Sequence, residues 1–439
     1  MPPLLEVTIE KMTLGGQGLT HIEGKACFVD RVIPGETVLV EIVQDKRDYS
    51  VARAREVVRA SAQRVTPECP IYNRCGGCQL QHIAYPRQLE LKRDMFIETL
   101  KRIGKIDVGD VTVTAGAAYG YRNRAQLPVQ AGTPAKIGYY KTGTHQVVDQ
   151  VSCPINHPRI NQVLTELRDR ILRSKVTAYD EVRNTGLLRH IIIKAGVNTE
   201  QTFVTFVTTK PIFPELLYEG LSDKVPGLVG VTQNLNAGRT NRILGSRTAN
   251  LWGLDHYEER IAGFLFRLRT ASFFQVNIPV MEKMLVAIQD ARSWTGDETV
   301  LDLYAGVGVI GITLAKRVRE VVAVEESAET VEDGVKSCQD NGIARVRFVR
   351  GDAATVTASI PHADIAILDP PRKGVESAAL ASLADRDVHE ILYVSCNPAT
   401  LARDAAILQA GSFRLRQASV FDMFPQTHHI ESLVIFTRE

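Results

Sequence analysis

Three changes of pattern along the 439 residues predict a multidomain protein. Short strands broken by glycine turns over residues 1–60 predict a small OB-like β-barrel. A strand-rich stretch with one long amphipathic helix, residues 61–272, predicts a mixed α+β central domain. From residue 273 to 439 strand and helix alternate, which predicts an α/β domain built on a doubly wound parallel sheet.

The bulk properties narrow the class. Apolar content of 44% and charged content of 23% place the chain among ordinary globular proteins, and 439 residues suffice for two or three separate cores. A formal net charge of +2 carries no global nucleic-acid signature, so an RNA partner has to be argued locally. No apolar run reaches the length of a membrane span, and Met1-Pro2-Pro3 lacks a signal-peptide core, so a cytoplasmic protein without membrane contact is expected. Seven cysteines are too few and too unevenly spaced for a disulfide scaffold. Cys27 and Cys338 sit in ordinary segments and read as structural.

In the first segment strands are expected at Leu5 to Ile9, Lys25 to Val29, Glu36 to Val43 and Ser50 to Val57, with turns at Gly15-Gly16, Gly18 and Pro34-Gly35. Barrels of this type often bind single-stranded nucleic acid. The run from Lys46 to Arg64 holds Lys46, Arg47, Arg53, Arg55, Arg59 and Arg64 against Asp48 and Glu56; it fits an RNA-facing surface and a plain solvated face equally well. In the middle segment Tyr119 to Arg124 and Gly138 to Lys141 interleave aromatics with cations, a pattern shared by base-stacking surfaces and by snorkelling edge strands. Tyr85 to Ile103 reads as the long amphipathic helix, packed on the C-terminal domain.

In the third segment strands are expected at Thr299 to Leu303, Glu320 to Val324, Val346 to Val349, Ile365 to Leu368 and Glu390 to Val394. A closing antiparallel pair is expected at Phe413 to Val420 and Ser432 to Phe436. The first strand runs into Tyr304-Ala305-Gly306-Val307-Gly308, a glycine turn that lets a ligand approach the backbone at the sheet's carboxyl edge. Glu325 ends the second strand, where an acid binds two ribose hydroxyls in dinucleotide and in S-adenosylmethionine enzymes alike. Asp369-Pro370-Pro371-Arg372 ends the fourth, with two prolines fixing a rigid turn behind the carboxylate. Cys396 follows the fifth, just ahead of the N-cap Asn397 and of Pro398 at the first helical position. The partial positive charge of a helix N-terminus favours thiolate, so a nucleophilic cysteine is expected. Four such placements on one sheet edge point to an active site.

Cys69, Cys75 and Cys78 form C-x5-C-x2-C, and Cys153-Pro154 lies far downstream. Four thiolates can hold zinc or a [4Fe–4S] cluster. Zinc ribbons usually carry two C-x2-C knuckles whereas this chain has one, which tilts the spacing toward the cluster.

Taken together these residues resemble the RNA (uracil-C5) methyltransferases that form 5-methyluridine. The resemblance spans nearly the whole chain and rests on Ser272-Phe273-Phe274-Gln275-Val276-Asn277, Asp369-Pro370-Pro371-Arg372, Ser395-Cys396-Asn397-Pro398-Ala399-Thr400 and His428-His429-Ile430-Glu431-Ser432. It implies a TRAM domain for the barrel and a Rossmann-like class I methyltransferase for the C-terminal domain. S-adenosylmethionine would be held by Gln275, Tyr304, Glu325 and Asp369, with Cys396 as nucleophile and Glu431 as base. It also implies a [4Fe–4S] cluster on Cys69, Cys75, Cys78 and Cys153, and a monomer acting on 23S ribosomal RNA, with the T-loop of transfer RNA as the alternative. Val309 departs from relatives that place a polar residue there. The residue types fit the chemistry independently: C5 of uracil attacks a methyl group only after a thiolate has added at C6, and a base must then remove the C5 proton. Two other classes fit less well. Amino-group methyltransferases usually follow the two prolines with an aromatic residue, where this chain has Arg372, and have no need of Cys396. A purely RNA-binding platform leaves Cys396, Glu431 and Gly306 without a role.

Overall fold

The computed structural model describes residues 3–360 and 362–439; Met1, Pro2 and Pro361 lie outside them, and with them most of the N-terminal tripeptide considered above. Residues 5–59 form a six-stranded sheet that curls around Ile9, Cys27, Val29, Val32, Val38, Val40 and Ala52. It contains two strands beyond those expected, Lys11–Met12 and Gly18–Ile22. The latter starts on Gly18, where a Cβ would come within 2.4 Å of Val32 and 2.7 Å of Ile9, so the turn glycine is also a packing requirement. In the basic run, Arg55 pairs with Glu41, and Arg64 clamps the buried Glu36 with Nη2–Oε2 at 2.6 Å. Arg64 is therefore a structural residue, whereas Lys46, Arg47, Arg53 and Arg59 make no ion pair among the described residues.

The central sheet has seven strands, in the spatial order 147–149, 136–140, 124–130, 188–195, 202–208, 228–235 and 247–253. Helix Pro158–Arg173 covers one face through Ile160, Val163, Leu164, Leu167 and Ile171, spaced by three and four residues along one side. A separate hairpin, His256–Ile261 with Phe264–Arg269, lies on helix Ala328–Asp340 of the C-terminal domain. The outer edge of Phe264–Arg269 is satisfied by that helix: the amides of Leu265, Arg267 and Arg269 donate to Asn341, Ser337 and Asp333 at 2.8, 3.0 and 3.0 Å. Alternate strand amides thus match side chains four apart on a helix.

The C-terminal sheet has eight strands in the order 346–350, 320–325, 299–303, 365–368, 390–395, 431–438, 413–421 and 111–114. The first five are mutually parallel, and Glu431–Arg438 runs antiparallel between Glu390–Ser395 and Phe413–Phe421. The last strand, Val111–Thr114, comes from the stretch read as the central domain and pairs parallel to Phe413–Phe421. Ahead of it, helix Tyr85–Thr99 continues as a π-helical turn, Leu100–Gly104, and buries Leu91, Met95, Phe96 and Leu100 in the core of this sheet. Lys92 on that helix is fully buried, with Nζ 2.6 Å from Asp422 Oδ1. No helix among the described residues is long and apolar enough to cross a membrane.

Candidate active site

The parallel strands end on one edge, and the chain turns there at Tyr304, Glu325, Gly351, Asp369 and Cys396. These turns, with Phe273, Gln275, Phe424, His429 and Glu431, line a cavity of about 550 Å³. All six residues expected to bind the cofactor or catalyse, Gln275, Tyr304, Glu325, Asp369, Cys396 and Glu431, lie on its wall. Tyr304 has φ 61°, a left-handed conformation that is costly for an aromatic residue and typical of a functional turn. Gly308, with φ 80°, opens the following helix; a Cβ there would meet the Phe348 ring at 2.7 Å. The Glu325 carboxylate accepts from the amides of Gly306 (3.1 Å) and Ser327 (2.8 Å), which fixes its orientation beside the glycine turn.

Register brings the two expected catalytic residues together. Ser395 pairs with Ser432 across the antiparallel ladder, so Cys396 and Glu431, one step further, face each other at the strand ends. Asn397 caps the following helix by accepting from Ala399 N at 3.1 Å, and its Nδ2 donates to Arg372 O at 2.9 Å. The Asp-Pro-Pro-Arg turn is thereby tied to the cysteine turn. Glu431 is buried, and burial with the Asp369 charge holds its carboxyl well above the usual carboxylate range. Burial also pushes Asp369 up to about 7. The two acids titrate as a pair.

The surroundings of Cys396 work against the thiolate that the helix N-terminus favours. Burial first, then the charges of Glu431 and Asp369, push this thiol up to about 11, with Arg372 pulling the other way. Arg372 Nη2 reaches the His429 ring at 3.2 Å, which holds this cation at the cavity wall next to Lys373.

In the Tyr119 to Arg124 motif two side chains are structural. Tyr121 is buried and its hydroxyl donates to Pro425 O at 2.9 Å, while Asn123 Nδ2 donates to Gln275 O at 3.0 Å. These residues brace Gln275 on the cavity wall and Pro425, which follows the wall residue Phe424. Sequence reasoning missed Phe273, Phe424 and Asp302. Phe273 stands 57% exposed beside the cavity, and Asp302, fully buried, is pushed up to about 7 by burial. Phe273 lay within a quoted motif and Asp302 immediately before the glycine turn; Phe424 carried no sequence signal.

The four-cysteine group is brought together from both ends of its sequence separation. Cys69, Cys75 and Cys153 are buried and Cys78 is half-buried, with no disulfide among them. Burial raises all four thiols, Cys78 to about 12, and the charges of the others raise Cys75, Cys78 and Cys153 further. No group of three or more His, Cys, Asp or Glu among the described residues closes on a single metal ion. Gly77 N donates to Cys75 Sγ at 3.4 Å. The loop also reaches the active site: the amides of Gln79 and Leu80 donate to Gln426 O at 3.1 and 3.0 Å, and Gln79 Oε1 lies 3.0 Å from His428 Nδ1.

Comparison with known proteins agrees with this geometry. Residues 257–439 match the family model described as tRNA (Uracil-5-)-methyltransferase, and residues 4–54 match the TRAM domain. An RNA methyltransferase of Halalkalibacterium halodurans is 37% identical over 98% of this chain and 96% of its own length. One from Listeria monocytogenes is 36% identical over 98% and 97%. Among solved structures, the Pyrococcus abyssi tRNA (uracil-54, C5)-methyltransferase in complex with S-adenosyl-L-homocysteine is 26% identical and superposes with a TM-score of 0.80, covering 99% of this chain and 100% of that one. The chain belongs to the uracil-5-methyltransferase family, S-adenosylmethionine-dependent RNA methyltransferases, and carries a TRAM domain at its N-terminus.

Proposed function

We propose that this enzyme methylates C5 of a uridine in 23S ribosomal RNA through a covalent adduct between Cys396 and C6 of the base. The observation that carries the chemistry is the placement of Cys396 opposite Glu431 on the wall of one cavity. Gln275, Tyr304, Glu325 and Asp369 would hold S-adenosylmethionine, which when bound supplies an electrophilic methyl group. Cys396, once deprotonated, forms the S–C6 bond and leaves C5 as an enolate carbon able to attack that methyl. Glu431 then takes the C5 proton, the S–C6 bond breaks, and the thiolate is restored. Burial raises the proton affinity of Glu431, so its carboxylate, once ionised, is a stronger base toward the C5 proton than an exposed one.

The ribosomal assignment is supported by the TRAM barrel together with the four cysteines, which we assign to a [4Fe–4S] cluster that shapes the fold or the RNA path. Transfer RNA is the second reading, favoured by the full-length likeness to the Pyrococcus abyssi enzyme. Mapping 5-methyluridine in 23S ribosomal RNA and transfer RNA from a deletion strain separates the two. Loss of one ribosomal 5-methyluridine is expected; loss confined to transfer RNA would overturn the ribosomal assignment.

A further inference from the structure

Strand Leu188–Ala195 connects the catalytic domain to a second cavity. At one end, buried Lys194 Nζ donates to the carbonyls of Arg269 (2.6 Å), Thr270 (3.0 Å) and Ser272 (3.2 Å), just ahead of Phe273 and Gln275. At the other end, Arg189 and His190 line a cavity of about 180 Å³ together with Tyr140, His145, Tyr179 and Asn241. The four to five residue steps from His190 and Arg189 to Lys194 span roughly 15 Å at ~3.3 Å per residue. Nothing in the methylation chemistry uses this second cavity.

Its wall combines the Tyr140, His145 and Tyr179 rings with polar groups, among them Arg189, Arg242 and Glu181. The Tyr140 and His145 rings lie 5.5 Å apart and 31° from parallel, and Tyr140 is 38% exposed. The Arg189 guanidinium covers the Tyr179 ring at 4.5 Å and is held by the carbonyls of Asn236 (2.9 Å) and Gly238 (2.7 Å). The His190 side chain makes no hydrogen bond among the described residues, and its Nδ1 is buried without a partner, as is Arg189 Nε. Burial and Arg189 lower His190 to about 4, so it is a neutral imidazole offering one donor and one acceptor. Cations surround the opening: Arg74, Lys136 and Lys141 line the depression on one side, and Arg239 that on the other. Asp149 and Glu181 are the acids there, and both are engaged, by Arg168 and His145. The cysteine loop sets the position of Tyr140, since Gly76 N donates to Tyr140 O at 2.9 Å and a Cβ on Gly76 would sit 2.9 Å from that oxygen.

An aromatic face, neutral donors and acceptors, and a cationic rim are what an unpaired nucleotide requires: stacking, edge recognition and phosphate contact. We propose that this cavity is a second nucleobase subsite, which takes an unpaired base of the substrate RNA a few nucleotides from the uridine being methylated. The proposal rests on the RNA-methylation reading and deepens it by naming how the RNA is held beyond the target base.

The test is a binding titration, read without turnover, so its failure is separable from failure of the methylation reading. A short 23S ribosomal RNA fragment containing the mapped uridine is scanned with single abasic nucleotides against wild type, Tyr140→Ala and Asn241→Ala. Stacking of one base is worth enough for about a ten-fold loss in affinity. Each variant should bind intact RNA about ten-fold more weakly, and one abasic position should weaken wild type equally while costing the variants nothing further. Full additivity at every abasic position, or undiminished affinity in both variants with unchanged thermal melts, would overturn the subsite. A free nucleoside monophosphate whose binding is abolished by Tyr140→Ala, with RNA affinity unchanged, would reassign the cavity to a free nucleotide and also overturn it.

Discussion

Lys92→Met tests how the long helix is fastened to the catalytic sheet. Both Lys92 and Asp422 are fully buried, with Nζ 2.6 Å from Asp422 Oδ1 and 3.0 Å from Phe424 O. The other Asp422 oxygen accepts from the Tyr85 hydroxyl at 2.8 Å. Methionine matches the length of lysine but leaves Asp422 with Tyr85 as its one remaining side-chain donor and Phe424 O with none from this helix. Breaking a buried pair by removing one partner costs about 3–5 kcal/mol, most of it the stranded charge. In a domain of this size that lowers the melting temperature by at least ~6 °C. Lys92→Met/Asp422→Asn removes the charge and keeps an acceptor for Tyr85, so it should recover more than half of the loss. Urea unfolding followed by circular dichroism, with the C-terminal transition fitted separately, measures both. A single variant that loses less than 1 kcal/mol, or a double variant as unstable as the sum of its parts, would refute the reasoning.

Three further outcomes follow from the same geometry. Asp302, pushed up to about 7, keeps its proton well above the ordinary aspartate range; the stability this contributes is full below about 3.8 and is lost as pH rises through about 7. Asp302→Asn should therefore melt progressively higher relative to wild type between pH 5 and pH 8; a difference that stays constant contradicts it. Cys396, at about 11, should be alkylated by iodoacetamide about ten-fold faster per pH unit from pH 7 to pH 10 in the ligand-free enzyme, and a flat profile would restore the thiolate. Protein purified without oxygen should carry about four irons per chain and lose them when Cys153 is changed to serine; colourless protein with stoichiometric zinc rejects the cluster.

The C-terminal strands could be read within two residues of their ends because strands buried on both faces are near-continuous apolar runs, as in Ile365–Leu368 and Glu390–Ser395. Strand Val111–Thr114 gave no sign of joining that sheet, since its partner lies some three hundred residues away in sequence. Gly18–Ile22 was hidden by reading Gly18 as a turn. At the site, Cys396 and Glu431 could be placed together because register alone does it. The acidity of Cys396 could not, because it is set first by burial, which no local pattern gives. The cavity at His190 was equally silent: its walls come from four strands and three loops.

The central claim is that Cys396 adds to the base and Glu431 releases it. Glu431→Gln keeps the shape of the side chain and removes its capacity to take the C5 proton. With S-adenosylmethionine and labelled substrate RNA, this variant should accumulate a protein–RNA adduct, seen as a retarded band on a denaturing gel. Cys396→Ala/Glu431→Gln should show none, and Cys396→Ala alone should bind RNA but not methylate it. Normal product release by Glu431→Gln without the band, or methylation by Cys396→Ala at the wild-type rate, would contradict the account.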